Sequence, residues 1–271
     1  MKASAVDYIR AASVADAVAL LGRHGSEARL IAGGQSLLPA LNLRLSAPPV
    51  LIDIFRLPEL QAIEVDGGLL RIGGGCTHAR LLGDPIVAEH APLIARALAD
   101  VAHPAIRSRG TIGGSLANAD PAAELPACAL ALGATIVVQG AAGTRRVAAE
   151  RFFTGLFETA LAADEVLVAI EIPLAPGAQW GFAELSRRSG DYAMVGLAAH
   201  RSEAGTRLAY FSVGTVALLA RRAADALPQG IPAACAALAA DLPHHSDLQA
   251  DHVTRLHLAR VLMRRVVGAW A

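Results

Sequence analysis

The chain has 271 residues, enough for one large domain or two ordinary ones with a substantial core. Hydrophobic residues make up 54% of it and aromatics only 4%, which argues against the base-stacking platforms of single-strand nucleic-acid binders. Lys+Arg and Asp+Glu balance at 24 each with no basic stretch, so neither nucleic acid nor an anionic membrane surface finds its electrostatic footprint.

Met1 to Gly22 carries Asp7, Arg10 and Asp16 and lacks the apolar run of a signal peptide. No stretch reaches the roughly 20 apolar residues of a membrane helix. The expectation is a soluble, cytoplasmic protein. Ser13-Val14-Ala15-Asp16 resembles a capping box with a shorter acid, and Val14, Ala17, Val18 and Leu21 follow at helical spacing. That helix is predicted to stop near Gly22 and Gly25. Leu30-Ile31 reads as a short strand running into Gly33-Gly34, and Val50–Ile54 as a buried strand, giving a small β-α-β-type unit that ends near residue 56.

Ile63–Val65 and Leu69–Ile72 flank Asp66-Gly67-Gly68, a strong hairpin signal. Gly73-Gly74-Gly75 follows, Thr77 caps a predicted helix through Leu82, and Ala88 to Ala99 reads as another helix. Glu124 to Leu132 is predicted helical, then a hairpin (134–139 and 144–147) and a strand from Val166 to Ile172. Pro173-Leu174-Ala175-Pro176-Gly177 marks the best boundary in the chain. Beyond it, Phe182–Arg187, Met194–His200 and Arg207–Val213 read as an antiparallel three-stranded sheet, and the Ala/Leu-rich remainder from Ala217 as helices covering it.

Cys76, Cys128 and Cys235 are scattered, odd in number and without C-x-x-C spacing. This predicts no disulfide framework and no zinc or iron–sulfur site within the chain. The informative motifs are instead two Gly-Gly turns of one style, Ala32-Gly33-Gly34-Gln35-Ser36 and Thr111-Ile112-Gly113-Gly114-Ser115. Glycine lets backbone N–H groups approach an anion, and successive N–H groups form a concave nest. Either turn alone is ordinary loop chemistry. Together, with the hydroxyls of Ser36, Thr111 and Ser115, they point to one phosphate-bearing ligand held by two loops. No G-x-x-x-x-G-K-[ST] or G-x-G-x-x-G sequence is present, so neither a P-loop nor a Rossmann site is expected.

Extended to Ala32–Pro39 and Thr111–Pro121, the two turns resemble the signature loops of the FAD-binding medium subunit of molybdenum hydroxylases. This group includes the carbon monoxide dehydrogenase medium subunit and the flavin segment of xanthine dehydrogenase. Val50–Ile54, Ile72–His78 and Arg187–Ala193 fall where the family has comparable segments, so the resemblance covers nearly the whole chain in order. It implies an α+β fold: a two-subdomain FAD-binding domain of the PCMH type over residues 1–175, with subdomains of about 1–56 and 57–175. A C-terminal antiparallel sheet with helices would then follow over 176–271. The implied cofactor is FAD. Ile31, Ala32, Gly33, Gly34, Gln35, Ser36 and Leu37 would wrap its pyrophosphate from one side, and Thr111, Gly113, Gly114 and Ser115 would close it from the other. Ala102 and Ile106 would pack near the cofactor, Glu124 would sit near the ribose, and Tyr192 would stand at the flavin ring. This chain has Glu184 where some members place a lysine. It also has Val213–Ala217 where the family usually has a proline-bearing turn.

The resemblance also implies partners: a small subunit with two [2Fe–2S] clusters and a large subunit with the molybdenum cofactor, arranged as a dimer of heterotrimers. Electrons would pass from the clusters through FAD to NAD⁺, oxygen or a quinone-linked carrier, with no catalytic side chain in this chain. Two alternatives stay open on the residues alone: a self-sufficient flavoenzyme of the same fold, and a scaffold that has lost the cofactor. His244, His245, Ser246 and Asp247 with His252 and His257 invite a metal reading, but a five-residue spacing does not align His252 and His257 on one helical face. Surface histidines are the expectation there, and His78 reads as a helix-start residue.

Overall fold

The computed structural model describes residues 3–188 and 190–270; Ser189, within the Arg187–Ala193 segment, lies outside the described residues. The chain opens with β1 (Asp7–Arg10), α1 (Val14–His24), β2 (Ala28–Ile31), α2 (Leu37–Asn42) and β3 (Val50–Asp53). Its three strands form a parallel sheet in the order β1-β3-β2. β1 carries no apolar alternation because most of it is exposed at the sheet edge, which explains why its pattern gave no strand signal. Ser13 caps α1 by accepting the Asp16 N–H at 3.0 Å, and the Asp16 carboxylate accepts the Ala12 N–H at 2.8 Å. The helix runs past Gly22 to a cap at Gly25.

The middle of the chain gives β4 (Ile63–Asp66), β5 (Leu69–Gly73), α3 (His78–Gly83), α4 (Pro85–His90), α5 (Pro92–Asp100), α6 (Pro104–Arg107), α7 (Ile112–Asn118) and α8 (Glu124–Ala131). The helix expected over 88–99 is two helices, broken where Pro92 begins a new one. After α8 come β6 (Thr135–Gly140), β7 (Gly143–Ala148), α9 (Ala149–Phe152), β8 (Phe153–Gly155), β9 (Glu158–Thr159) and β10 (Val166–Pro173). A five-stranded antiparallel sheet orders as β4-β5-β10-β6-β7. Central β10 is buried on both faces, so its sequence is apolar from Val166 to Ile172 except for Glu171, which pairs with Arg71 on β5 and Arg146 on β7. Val166 and Val168 pack with Ala17, Leu21 and Ile52 of the first unit, while Ile170 and Ile172 face α5 and α8.

The C-terminal part is β11 (Gln179–Leu185), β12 (Val195–Ser202), β13 (Gly205–Phe211), β14 (Leu218–Leu219), α10 (Arg221–Ala226), α11 (Ile231–Ala237) and α12 (His252–Gly268). The sheet is four-stranded, not three-stranded, because two residues after the turn at 212–217 pair back onto β13. Alternation sends Leu208 and Tyr210 towards α10–α12 and Ala209 and Phe211 towards α5 and α8. The sheet is thereby a shared wall. The Ser212 N–H, at the end of β13, donates to the Pro121 carbonyl at 2.8 Å and ties this wall to the segment after the second glycine turn.

Phe211 is fully buried and stacks on Phe182 with ring centroids 5.9 Å apart. Phe211→Ala is expected to lower stability by about 3–5 kcal/mol, read as an earlier urea midpoint with little change in slope.

Candidate functional site

The two glycine segments meet backbone to backbone. Ile31 ends β2, held by the Ile54 N–H at 3.0 Å, and the chain turns through Gly33. A Cβ on Gly33 would overlap the Arg109 carbonyl, and one on Gly113 would overlap the Gly74 backbone. Any side chain at either position would drive the segments apart. The second segment is not a free turn: Thr111 is the N-cap of α7, and Gly113 and Gly114 form its first turn.

The two segments differ in what their amides do. Among the described residues, the N–H groups of Gly33, Gly34, Gln35, Ser36 and Leu37 meet no protein acceptor. In the second segment, those of Ile112, Gly113, Gly114 and Ser115 are taken. Ile112 N–H bonds Cys76 O at 3.0 Å, Gly113 N–H bonds Gly74 O at 2.9 Å, Gly114 N–H bonds Thr111 Oγ1 at 3.0 Å and Ser115 N–H bonds Thr111 O at 3.0 Å. The first loop is an open row of donors; the second is a finished wall with the Ser115 hydroxyl beside it. Gln35 closes the first loop on itself, its Nε2 donating to Gly33 O at 3.0 Å.

Between them opens a cleft of about 880 Å³. The structure brings every residue that the resemblance assigns to the cofactor to its wall: 31–37 from the first unit, Ala102, Ile106, Thr111, Gly113, Gly114, Ser115 and Glu124 from the second, and Tyr192 from the approach to β12. Tyr192 stands at the rim, 62% exposed. Glu184 does not reach the wall; it lies on β11 with a buried Oε2 that has no hydrogen-bond partner among the described residues. Pattern reading passed over Gly74, Gly75, His78, Asp120 and Phe157, which also line the cleft. The Gly73-Gly74-Gly75 run was the available signal for two of these. Nothing local marked Phe157, which sits at φ 54 between β8 and β9. His244 lies outside this region, stacked on His252 at 4.0 Å.

An uncharged row of amides in a cleft of this size fits the pyrophosphate of a dinucleotide. The acidic groups sit to one side. Burial first, and then the carboxylates of Glu184, Asp120 and Asp100, push Glu124 up to about 8. Burial and Asp100 push Glu184 up to about 7, against the pull of Arg96. A carboxyl with a raised pKa holds its proton more tightly in the folded chain than in the unfolded one. Stability therefore falls as pH rises from the ordinary 4.5 through about 8. Glu124→Gln removes this penalty. Without ligand, the variant is expected to be more stable than the parent by about 1–3 kcal/mol above pH ~8 and equal to it near pH ~4, measured by thermal unfolding across that range.

Residues 4–175 match the FAD binding domain in molybdopterin dehydrogenase. The chain is 39% identical to the nicotine 6-hydroxylase medium subunit of Paenarthrobacter nicotinovorans, over 98% of each chain. It superposes on a chain of carbon monoxide dehydrogenase from Hydrogenophaga pseudoflava, solved lacking the Mo-pyranopterin moiety of the molybdenum cofactor. The TM-score is 0.95 at 38% identity, covering 99% of this chain and 98% of that one. Quinoline 2-oxidoreductase from Pseudomonas putida 86 gives a TM-score of 0.93 at 40% identity with the same coverage. The chain belongs to the FAD-binding domain family of the molybdopterin dehydrogenases, as an FAD-binding medium subunit of the oxidoreductase kind.

Proposed function

We propose that this medium subunit carries electrons within a cytoplasmic molybdenum hydroxylase or dehydrogenase. It would receive them from [2Fe–2S] clusters of a small subunit and pass them to an external acceptor. Substrate would be oxidised on a large subunit holding the molybdenum cofactor, in a dimer of heterotrimers. When bound, FAD supplies a carrier that exchanges one electron at a time with clusters and two with an acceptor such as NAD⁺. The observation that carries the reading is the row of open amides from Gly33 to Leu37, residues that line one large cleft.

The chain's own residues bind, orient and shield. The 33–37 amides hold the pyrophosphate with neutral donors, and the Ser115 hydroxyl assists from the other side. Glu124 would be placed near the ribose. Tyr192 would lie against the flavin, and its position at the rim leaves a route by which an acceptor could approach. In this reading residues 1–175 form the cofactor domain, with subdomains of about 1–56 and 57–175, and residues 176–271 close its far side. The scattered, buried Cys76, Cys128 and Cys235 support placing the clusters on a partner.

Purified protein is expected to show the two-banded visible spectrum of oxidised flavin without broad iron–sulfur absorbance, or to take up added FAD with quenching of flavin fluorescence. Gly33→Ala, which forces the loops apart, is expected to weaken FAD binding at least about tenfold. His252→Ala, remote from the cleft, is expected to leave it unchanged. Equal affinity in folded samples of both variants would reject the two-loop site.

A further inference from the structure

Ala259, Leu262 and Val266 form a buried stripe along α12, in the core that this helix shares with β12. One turn earlier on the same face stands a charge. Arg255 is only 4% exposed, at a position that helix-on-sheet packing alone would fill with an apolar side chain. An ion taken out of water is costly unless it is paired and hydrogen-bonded. Here every arm of the guanidinium is engaged. Nη1 donates to the Met194 carbonyl at 2.6 Å and to the Ser212 carbonyl, Nε donates to the Ala250 carbonyl at 3.4 Å, and Nη2 pairs with the Asp247 carboxylate at 2.5 Å.

Met194 and Ser212 are the informative partners. The Met194 N–H donates to Leu185 O at 2.7 Å, so Met194 closes the base of the connection between β11 and β12, two residues after Tyr192. Ser212 follows β13 at φ 57, a conformation that a residue other than glycine keeps only where its surroundings fix it. Its N–H holds the Pro121 carbonyl at 2.8 Å, next to Asp120. Tyr192 and Asp120 both line the cleft. Partial burial, and then the Asp120 carboxylate beside it, push the Tyr192 phenol up to about 12. The two segments that meet at the rim are thus rooted on one guanidinium, which does not itself line the cleft. A planar fork of donors can hold two carbonyls and a carboxylate in one geometry, and a lysine ammonium cannot.

We propose that Arg255 is a positioning residue for electron transfer: by tying Met194 to Ser212 it fixes Tyr192 at the cleft rim, against the flavin. The proposal rests on the FAD reading above and on the place given there to Tyr192.

Arg255→Lys keeps the charge and loses the fork. Asp247→Asn removes the counter-charge and leaves both carbonyl ties. These variants, Tyr192→Ala and the double variant Arg255→Lys with Tyr192→Ala would be compared as full chains loaded with FAD. The readouts are the fluorescence lifetime of bound flavin, the FAD dissociation constant and the unfolding midpoint without ligand. A phenol against the flavin quenches its emission, so Tyr192→Ala is expected to lengthen the lifetime. Arg255→Lys is expected to lengthen it too, to weaken FAD binding about three- to tenfold, and to add nothing to the lifetime once Tyr192 is gone. Asp247→Asn is expected to lower the midpoint, as Arg255→Lys does, while keeping the parental lifetime. Arg255→Gln, neutral and able to reach one carbonyl, gives the same comparison should Arg255→Lys fail to fold. A parental lifetime in the folded Arg255 variant overturns the proposal. So does an undiminished Arg255 effect without Tyr192, or an equal lengthening in Asp247→Asn, either of which marks a general loosening of the fold. An unchanged lifetime in Tyr192→Ala would reject the place given to Tyr192, and failure of the unaltered protein to bind FAD would reject the flavin reading; either result takes the proposal with it.

Discussion

Everything at the site depends on backbone meeting backbone where three glycine segments stack. Gly33 lies against Arg109, and Gly113 lies against Gly74, whose N–H in turn reaches Val168 O at 2.8 Å on the central strand β10. The register of the cleft is thus set from the middle of the five-stranded sheet outwards. Side chains at these positions would hold the two units apart by the thickness of a methyl group or more. Close backbone approach explains the Gly-Gly pairs at least as directly as anion binding does, and the two explanations act on different glycines.

That separation gives the loops unequal tasks. The first loop keeps its donors open, whereas the second spends its donors on Cys76, Gly74 and Thr111. Thr111 illustrates the difference. As a sequence feature it is a hydroxyl ready for a phosphate; in the fold its Oγ1 accepts from Gly114 and caps α7. A rigid second wall fixes where the first loop's open amides point, so preorganisation falls to one segment and recognition to the other. The Ser212–Pro121 bond extends this rigidity to the C-terminal sheet, which brings Tyr192 to the rim.

Much of this was legible in the residues. The hairpins, the buried run Val166–Ile172 and the Ser13 cap follow from period, turn chemistry and capping, all of which are local. The two glycine motifs were legible as a pair because their spacing and hydroxyls repeat. Features that need a neighbour were not legible. β1 is a strand only because β3 lies beside it, and Leu218–Leu219 because β13 does. α4 and α5 divide at Pro92, a local signal that a continuous apolar pattern concealed. His78 was readable as a helix start, and so it is, but its burial beneath Gly110 depends on a segment distant in sequence. The cleft wall joins residues from three parts of the chain, so its shape is a property of packing and not of any one motif.

The electrostatics of the cleft complete the physical picture. A pyrophosphate brings negative charge into a wall that already carries Asp120 and Glu124, with Glu184 and Asp100 behind it. The open amides of the first loop are uncharged donors, and burial keeps Glu124 largely protonated at neutral pH. A protonated carboxyl can donate a hydrogen bond, which an ionised one cannot. The same burial that makes Glu124 costly above pH ~8 in the empty cleft leaves it, below that pH, a neutral donor beside an anionic ligand. The acidic cluster and the open amides are in this sense one arrangement: burial among carboxylates holds Glu124 in its neutral form, and the first loop lines the same cleft with uncharged amides.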